Sequence, residues 1–284
     1  MAYDDFVAKE YWGDQMGIGK YRVKPGSKIS LAKWDPDDRS LVGKSKTDAK
    51  RKLLALTQKL DVQQELFYAE GVHKLLIVLQ AMDTAGKDST IRYVFEGANP
   101  QGVDVAGFRG PTPAEMAHDF LWRVHNKVPG KGEMMIFNRS HYEDVLITRV
   151  NGLIDARTCR ARYAQINAFE KMLADTGTSI LKFFLYISKD EQKKRLEERR
   201  DDPSKQWKFS LSDLKSREQW DEYMKAYEAA LSATSTEYAP WYVVPANSKV
   251  QRNLIVAQAI TDTLDSLKMR YPQVSPDIRK TVII

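Results

Sequence analysis

The sequence predicts an α/β fold: a parallel sheet with helices on both faces. Three observations lead there. Residues 73–80 (HKLLIVLQ) and 180–187 (ILKFFLYI) are apolar runs with almost no polar alternation, as strands buried on both faces require. Segments of strand character alternate with segments of helical spacing along most of the chain. A glycine-bearing loop sits between the first apolar run and a helical pattern, where a parallel sheet presents its ligands.

The elements follow in order. Residues 1–47 are rich in Gly, Lys, Pro and Asp with weak periodicity, and read as an extended N-terminal arm. Asp48 is placed to cap a helix running to residue 69, with Leu53, Leu56, Leu60 and Leu66 at helical spacing. Strands are predicted at 73–80, 103–108, 133–137, 180–187 and 241–244. Helices are predicted at 113–125, with Pro113 in the favoured first turn, and at 143–151, 161–174, 188–200, 212–230 and 250–269. Residues 270–284 form a weakly patterned tail. No stretch reads as a linker, so 48–269 is expected to be one domain, with a lid at about 195–230.

Composition narrows the class. The chain has 284 residues, 43% of them hydrophobic, enough for a sizeable core. No apolar run approaches the roughly 18 residues that span a bilayer, and the first residues lack a secretory pattern. Cys159 is the only cysteine, which excludes an internal disulfide and points to an incidental buried thiol. A cytoplasmic location is expected. The formal charge of +6 implies an anionic partner. No recognition helix or stacking motif supports nucleic acid, and no segment supports a membrane.

The most informative segment is LQAMDTAGKDST, residues 79–90. Backbone amides at a loop and helix start form a nest for phosphate oxygens. Thr84, Ala85, Gly86 and Ser89 are the expected nest, and Lys87 adds a point charge. The usual spacing G-x-x-x-x-G-K-[ST] is met at Gly86 and Lys87. Ala81 stands in place of the first glycine, and Asp88 in place of the hydroxyl residue. Asp83 and Asp88 flank the proposed phosphate, so a divalent cation suits them, Mg²⁺ before Mn²⁺; both also suit a helix cap.

A second strand end carries MMIFNRSHYEDVL, residues 134–146. Asn138 occupies the place where such enzymes hold Mg²⁺, and Arg139 can neutralise phosphate in transfer. Glu143 and Asp144 fit equally a nucleotide contact or a helix cap. A third cluster, RLEERRDDPSKQWKFSLSD at 195–213, mixes Arg199, Arg200, Lys205 and Lys208 with Trp207 and Phe209, as a basic lid would. The four histidines form no catalytic pattern, and structural or surface roles are expected for them.

Together, MDTAGKDST, FNRSHYEDVL and RRDDPSKQWKFSLSD resemble the polyphosphate kinase 2 family, over about residues 48–268. The resemblance implies a P-loop kinase-like three-layer αβα sandwich with a helical lid. It implies Mg²⁺-dependent, reversible phosphoryl transfer between polyphosphate and nucleotides such as ADP, GDP or AMP, by a homo-dimer or homo-tetramer. It assigns catalytic roles to Asp83, Lys87, Arg139 and Arg199, and metal binding to Asp83. Family members often carry Asp where this chain has Asn138, and an amide brings no charge to a metal. The alternative reading is an ATP-dependent P-loop kinase for small molecules.

Overall fold

The strands form where the apolar runs were. The computed structural model describes residues 17–275, 278, 281 and 283. Residues 1–16 of the expected arm, and part of the tail, lie outside the described residues.

After two 3₁₀ turns in the arm, helix α1 spans Lys46–Glu70 and strand β1 Lys74–Gln80. Helix α2 (Lys87–Val94), strand β2 (Val103–Gly107) and the one-turn helices α3 (Pro113–Met116) and α4 (Trp122–His125) follow. Strand β3 is Met134–Asn138, α5 is Ile147–Val150 and α6 is Ala156–Asp175. Strand β4 (Thr178–Tyr186), α7 (Lys189–Asp201), α8 (Leu211–Glu218), α9 (Trp220–Thr234), β5 (Trp241–Pro245) and α10 (Lys249–Ser266) complete the order. The sheet runs β2-β3-β1-β4-β5 with every pairing parallel. Helix α10 packs on α1, α2, β4 and β5, while α6 packs on β4 and on α9, whose Tyr227 stacks on Phe184 of β4, giving the three-layer αβα sandwich. Central β1 is buried along almost its whole length. Among the described residues no helix is long and apolar enough to cross a membrane.

Four boundaries differ from expectation. The cap of α1 is Ser45, whose hydroxyl accepts from the Asp48 amide at 3.1 Å; Asp48 lies in the first turn and pairs with Arg51. The predicted helix at 113–125 is two single turns. The Asp119 carboxylate accepts from the Leu121 amide at 2.9 Å, and such a local turn competes with a continuous helix. The 143–151 helix is a 3₁₀ turn over His141–Val145 followed by α5, separated by Leu146 in a non-helical conformation. The 212–230 helix breaks at Gln219, so α8 and α9 turn separately.

The arm lies across the β5 edge. The Val23 amide donates to Trp241 O at 2.8 Å, and Arg22 bridges Tyr242 antiparallel. The Leu31 amide reaches Glu228 Oε1 on α9 at 2.6 Å, and the Leu41 amide reaches Gln251 Oε1 on α10 at 3.0 Å. An exposed edge invites pairing with other chains, and the arm covers this one.

A fully buried polar cluster lies beneath β3 and β4. Lys182 Nζ is 2.5 Å from Glu170 Oε2 and 2.8 Å from the Tyr142 hydroxyl, and donates to Thr234 O at 2.7 Å. Tyr142 OH donates to Glu170 Oε1 at 2.9 Å, and His141 Nε2 lies 3.2 Å from the same oxygen. His141 therefore has the structural role expected of it. These side chains tie the segment after β3 to β4, α6 and α9, which fixes the residues that β3 delivers to the site.

Candidate active site

Parallel strands leave polar loops beyond their carboxyl ends, and here β1 and β3 are neighbours, with Leu79 in register with Asn138. The loop after β1 and the end of β3 therefore meet. A cleft of about 1020 Å³ opens over them, roofed by the 198–213 segment.

The loop is held in an uncommon shape. Gly86 has φ +106°, and Thr84, a β-branched residue, has φ +65°. Arg139 at the end of β3 has φ +62°. Left-handed backbone at non-glycine residues is sparsely populated and gathers at functional sites. Two buried arginines fix the loop from behind. Arg195 donates to Thr84 O at 3.1 Å and to Ala85 O at 3.3 Å, and Arg252 donates to Ala85 O at 2.9 Å and to Ser89 Oγ at 2.9 Å. With its carbonyls occupied from the core, the loop is free to direct amides at the start of α2 toward the cleft.

Lys87 opens α2 and is buried, with Nζ 3.1 Å from Ala81 O. Burial pushes its pKa down, against the opposing pull of Asp83. Asp83 accepts from Arg139 Nη2 at 3.0 Å. Asn138 donates through Nδ2 to Asp88 Oδ1 at 2.9 Å, and Lys208 Nζ stands 3.8 Å from Asp88 Oδ2. Burial raises the Asp88 carboxyl, but the Asn138 bond and the Lys208 charge outweigh it and hold the pKa low.

The lid crosses above. Arg199 Nη1 lies 3.5 Å from Asp213 Oδ2, and Lys205 pairs with Asp202 at 2.6 Å. Burial, and the charge of Asp83, push the Asp213 carboxyl up to about 6 against the pull of Arg199.

Most of the sequence-predicted residues converge. Asp83, Thr84, Gly86, Lys87, Asp88, Ser89, Asn138, Arg139, Arg199, Lys205 and Lys208 all line the cleft. Three do not. The Ala85 side chain is buried in the core, and its carbonyl is the arginine anchor. Arg200 turns away and pairs with Asp201 at 2.7 Å. Glu143 sits behind Arg139 at 3.9 Å, where burial raises its pKa against the pull of Arg139. Sequence reasoning passed over Arg195, Asp213, Arg109, Lys249 and Arg252, which also line the cleft. For Arg252 the signal was a lone cation in the apolar pattern of residues 250–260.

The lining counts nine Lys and Arg side chains against four carboxylates, so the cleft selects a polyanion. A phosphate nest, a lysine at a helix start and an arginine beside it form a device for stabilising charge on a transferred phosphoryl group.

Known proteins resemble this chain in sequence and fold. The sequence profile of the polyphosphate kinase 2 family matches residues 43–272. The AMP/ADP-polyphosphate phosphotransferase of Meiothermus ruber is 56% identical over 264 residues, covering 93% of this chain and 99% of that protein. The ADP-polyphosphate phosphotransferase of Rhodopseudomonas palustris is 45% identical over 276 residues, covering 93% and 95%. The crystal structure of polyphosphate kinase 2 from Arthrobacter aurescens TC1 superposes with a TM-score of 0.87 at 47% identity, covering 92% of this chain and 93% of that one. With the phosphate loop, the β3 end and the basic lid assembled around one cleft, and with matches over nearly the whole chain, this protein belongs to the polyphosphate kinase 2 family.

Proposed function

We propose that this enzyme moves phosphoryl groups between inorganic polyphosphate and nucleoside mono- and diphosphates, in either direction, with AMP and ADP as acceptors. The charge of the cleft carries this reading: nine cations surround one phosphate loop and extend along the lid. At about 1020 Å³ the cleft stands at the upper end of small-ligand sites, roomy for a nucleotide together with a polyphosphate end. The names of the relatives point to the same substrates, and do not favour the ATP-dependent alternative. Residues 48–269 serve as the catalytic domain, and the family resemblance adds a homo-dimer or homo-tetramer.

The residues divide the work. Lys87 and the amides at the start of α2 bind the phosphoryl group in transfer. Arg139, held by Asp83, neutralises charge at its flank. Arg199, Lys205 and Lys208 hold the polyphosphate chain beneath the lid. A nucleotide phosphate is already anionic, so the attack is governed by positioning and electrostatics and needs no strong base.

The donor set suits Mg²⁺. Among the described residues no three acidic, His or Cys side chains gather into a metal cage. Mg²⁺ is commonly held by one or two carboxylates plus substrate phosphates. Asp83 and Asp88 would hold it, with the Asn138 carbonyl oxygen as a neutral donor. Bound there, the ion would supply positive charge to the phosphate oxygens.

The test is ATP formation by purified protein with Mg²⁺, long-chain polyphosphate and either ADP or AMP, with no ATP added. ATP is expected from both acceptors. Lys87→Met should lower the rate by about a hundredfold or more while melting normally. No product from any nucleotide, by folded protein, would overturn the reading in favour of an ATP-dependent kinase.

A further inference from the structure

The two arginines beneath the phosphate loop differ in how their charges are balanced. Arg195 pairs with Glu191 at 2.8 Å and spends its other donors on carbonyl oxygens of the loop and of Ala246 and Asn247. Arg252 is fully buried. Its partners are all neutral: Asn253 Oδ1 at 3.1 Å, Ala85 O at 2.9 Å and Ser89 Oγ at 2.9 Å. Among the described residues no carboxylate pairs with it. Burial, and the neighbouring Arg195 charge, push its pKa down to about 9. An unpaired charge in a protein interior is strongly unfavourable. This one is nonetheless kept at the wall of a cleft built for a polyanion.

We propose that Arg252 is a positioning residue whose counter-ion is the substrate: it fixes the loop through Ala85 and Ser89, and the phosphates of a bound polyphosphate neutralise its charge. The assignment rests on the polyphosphate reading above and deepens it. The local fit is tight. Ser89 Oγ accepts from Arg252 Nη2 and donates to Gly86 O at 3.0 Å, so the guanidinium, the hydroxyl and the loop form one chain of hydrogen bonds. A Cβ on Gly86 would stand 2.0 Å from Arg252 Nη1, so the glycine leaves room for the guanidinium. The free protein therefore carries an uncompensated charge that binding relieves. Ligand should stabilise the fold by more than contacts with exposed lysines would provide.

The experiment compares wild type, Arg252→Met, Arg252→Lys and Arg252→Gln, with inorganic tripolyphosphate as the probe and no nucleotide. It records the calorimetric Kd and the melting temperature with and without probe. Arg252→Met should raise Kd by about tenfold or more, because the loop loses the group that fixes it and the cleft loses a neighbouring positive charge. It should shrink the ligand-induced rise in Tm and change the ligand-free Tm little, because the loss of the bonds to Ala85 and Ser89 is offset by removal of an unpaired buried charge. In steady-state assays it should raise the polyphosphate KM more than it lowers kcat. Arg252→Met protein that binds like wild type but melts lower without ligand would overturn the proposal, leaving a purely structural clamp. If Arg252→Met does not fold, the other two variants decide. Lysine keeps the charge and must bind more tightly than glutamine; equal Kd values also overturn it. Failure of wild type to bind tripolyphosphate would instead remove the polyphosphate reading itself.

Discussion

Replacing Gly86 by alanine tests how the phosphate loop and α10 depend on each other. Two effects add. Gly86 sits at φ +106°, where a Cβ is disfavoured by about 1–2 kcal/mol. The same Cβ would meet Arg252 Nη1 at 2.0 Å and Cζ at 2.8 Å, so the guanidinium must leave Ala85 O. Losing a hydrogen bond from a charged donor costs about 1.5–3 kcal/mol. The sum, about 2.5–5 kcal/mol, is a large part of the 5–15 kcal/mol that holds a typical domain together. The assay is urea denaturation of four ligand-free proteins: wild type, Gly86→Ala, Arg252→Met and the double variant. Once Arg252 is methionine the bond is already gone and the neighbour is flexible. Gly86→Ala should then cost only the backbone share, leaving a coupling of about 1.5–3 kcal/mol. An additive cycle, with coupling below about 0.5 kcal/mol, would show that the steric argument fails.

Two further outcomes follow from the buried and titrating groups. Lys182→Met should destabilise the protein by about 3–5 kcal/mol in urea, because it strands Glu170 without its cation. Adding Glu170→Leu should restore part of that loss, and a double variant no better than the single one would argue against the pair. Asp213 has its folded pKa raised to about 6 from 3.8, so its contribution to stability is full below about 3.8 and is lost as pH rises through about 6. Asp213→Asn should therefore flatten the fall in melting temperature between about pH 4 and pH 7, and identical pH profiles for the two proteins would contradict the assignment.

The legible parts of this molecule were those whose chemistry is local. Strands β1 and β4 show as nearly continuous apolar runs, interrupted in β4 by Lys182, because both faces are covered. The phosphate loop shows because Gly86 and Lys87 must sit together at a strand-to-helix turn. The lid shows as cations interleaved with Trp207 and Phe209. What escaped depends on distant partners. Arg195 and Arg252 serve carbonyls 111 and 167 residues away; the apolar neighbours of Arg252 mark it as a buried cation, but nothing beside either residue names its partner. The break at Gln219 escaped because helical spacing runs through it, and only the backbone turn there, with ψ at 27°, reveals it. Glu143 read equally as a contact or a cap because its place behind Arg139 depends on the Leu146 turn and the buried tie of Tyr142.

The span between Ala85 and Arg252 also sets a schedule. A ribosome makes the loop first and its last anchor 167 residues later, a delay of roughly 10–30 s at about 5–20 residues per second. Through that interval the nascent chain displays Lys87 and the loop amides without the arginine that fixes them. On the role proposed for Arg252, the loop takes its fixed shape only once α10 closes the sandwich, so binding competence is expected to be a property of the completed domain.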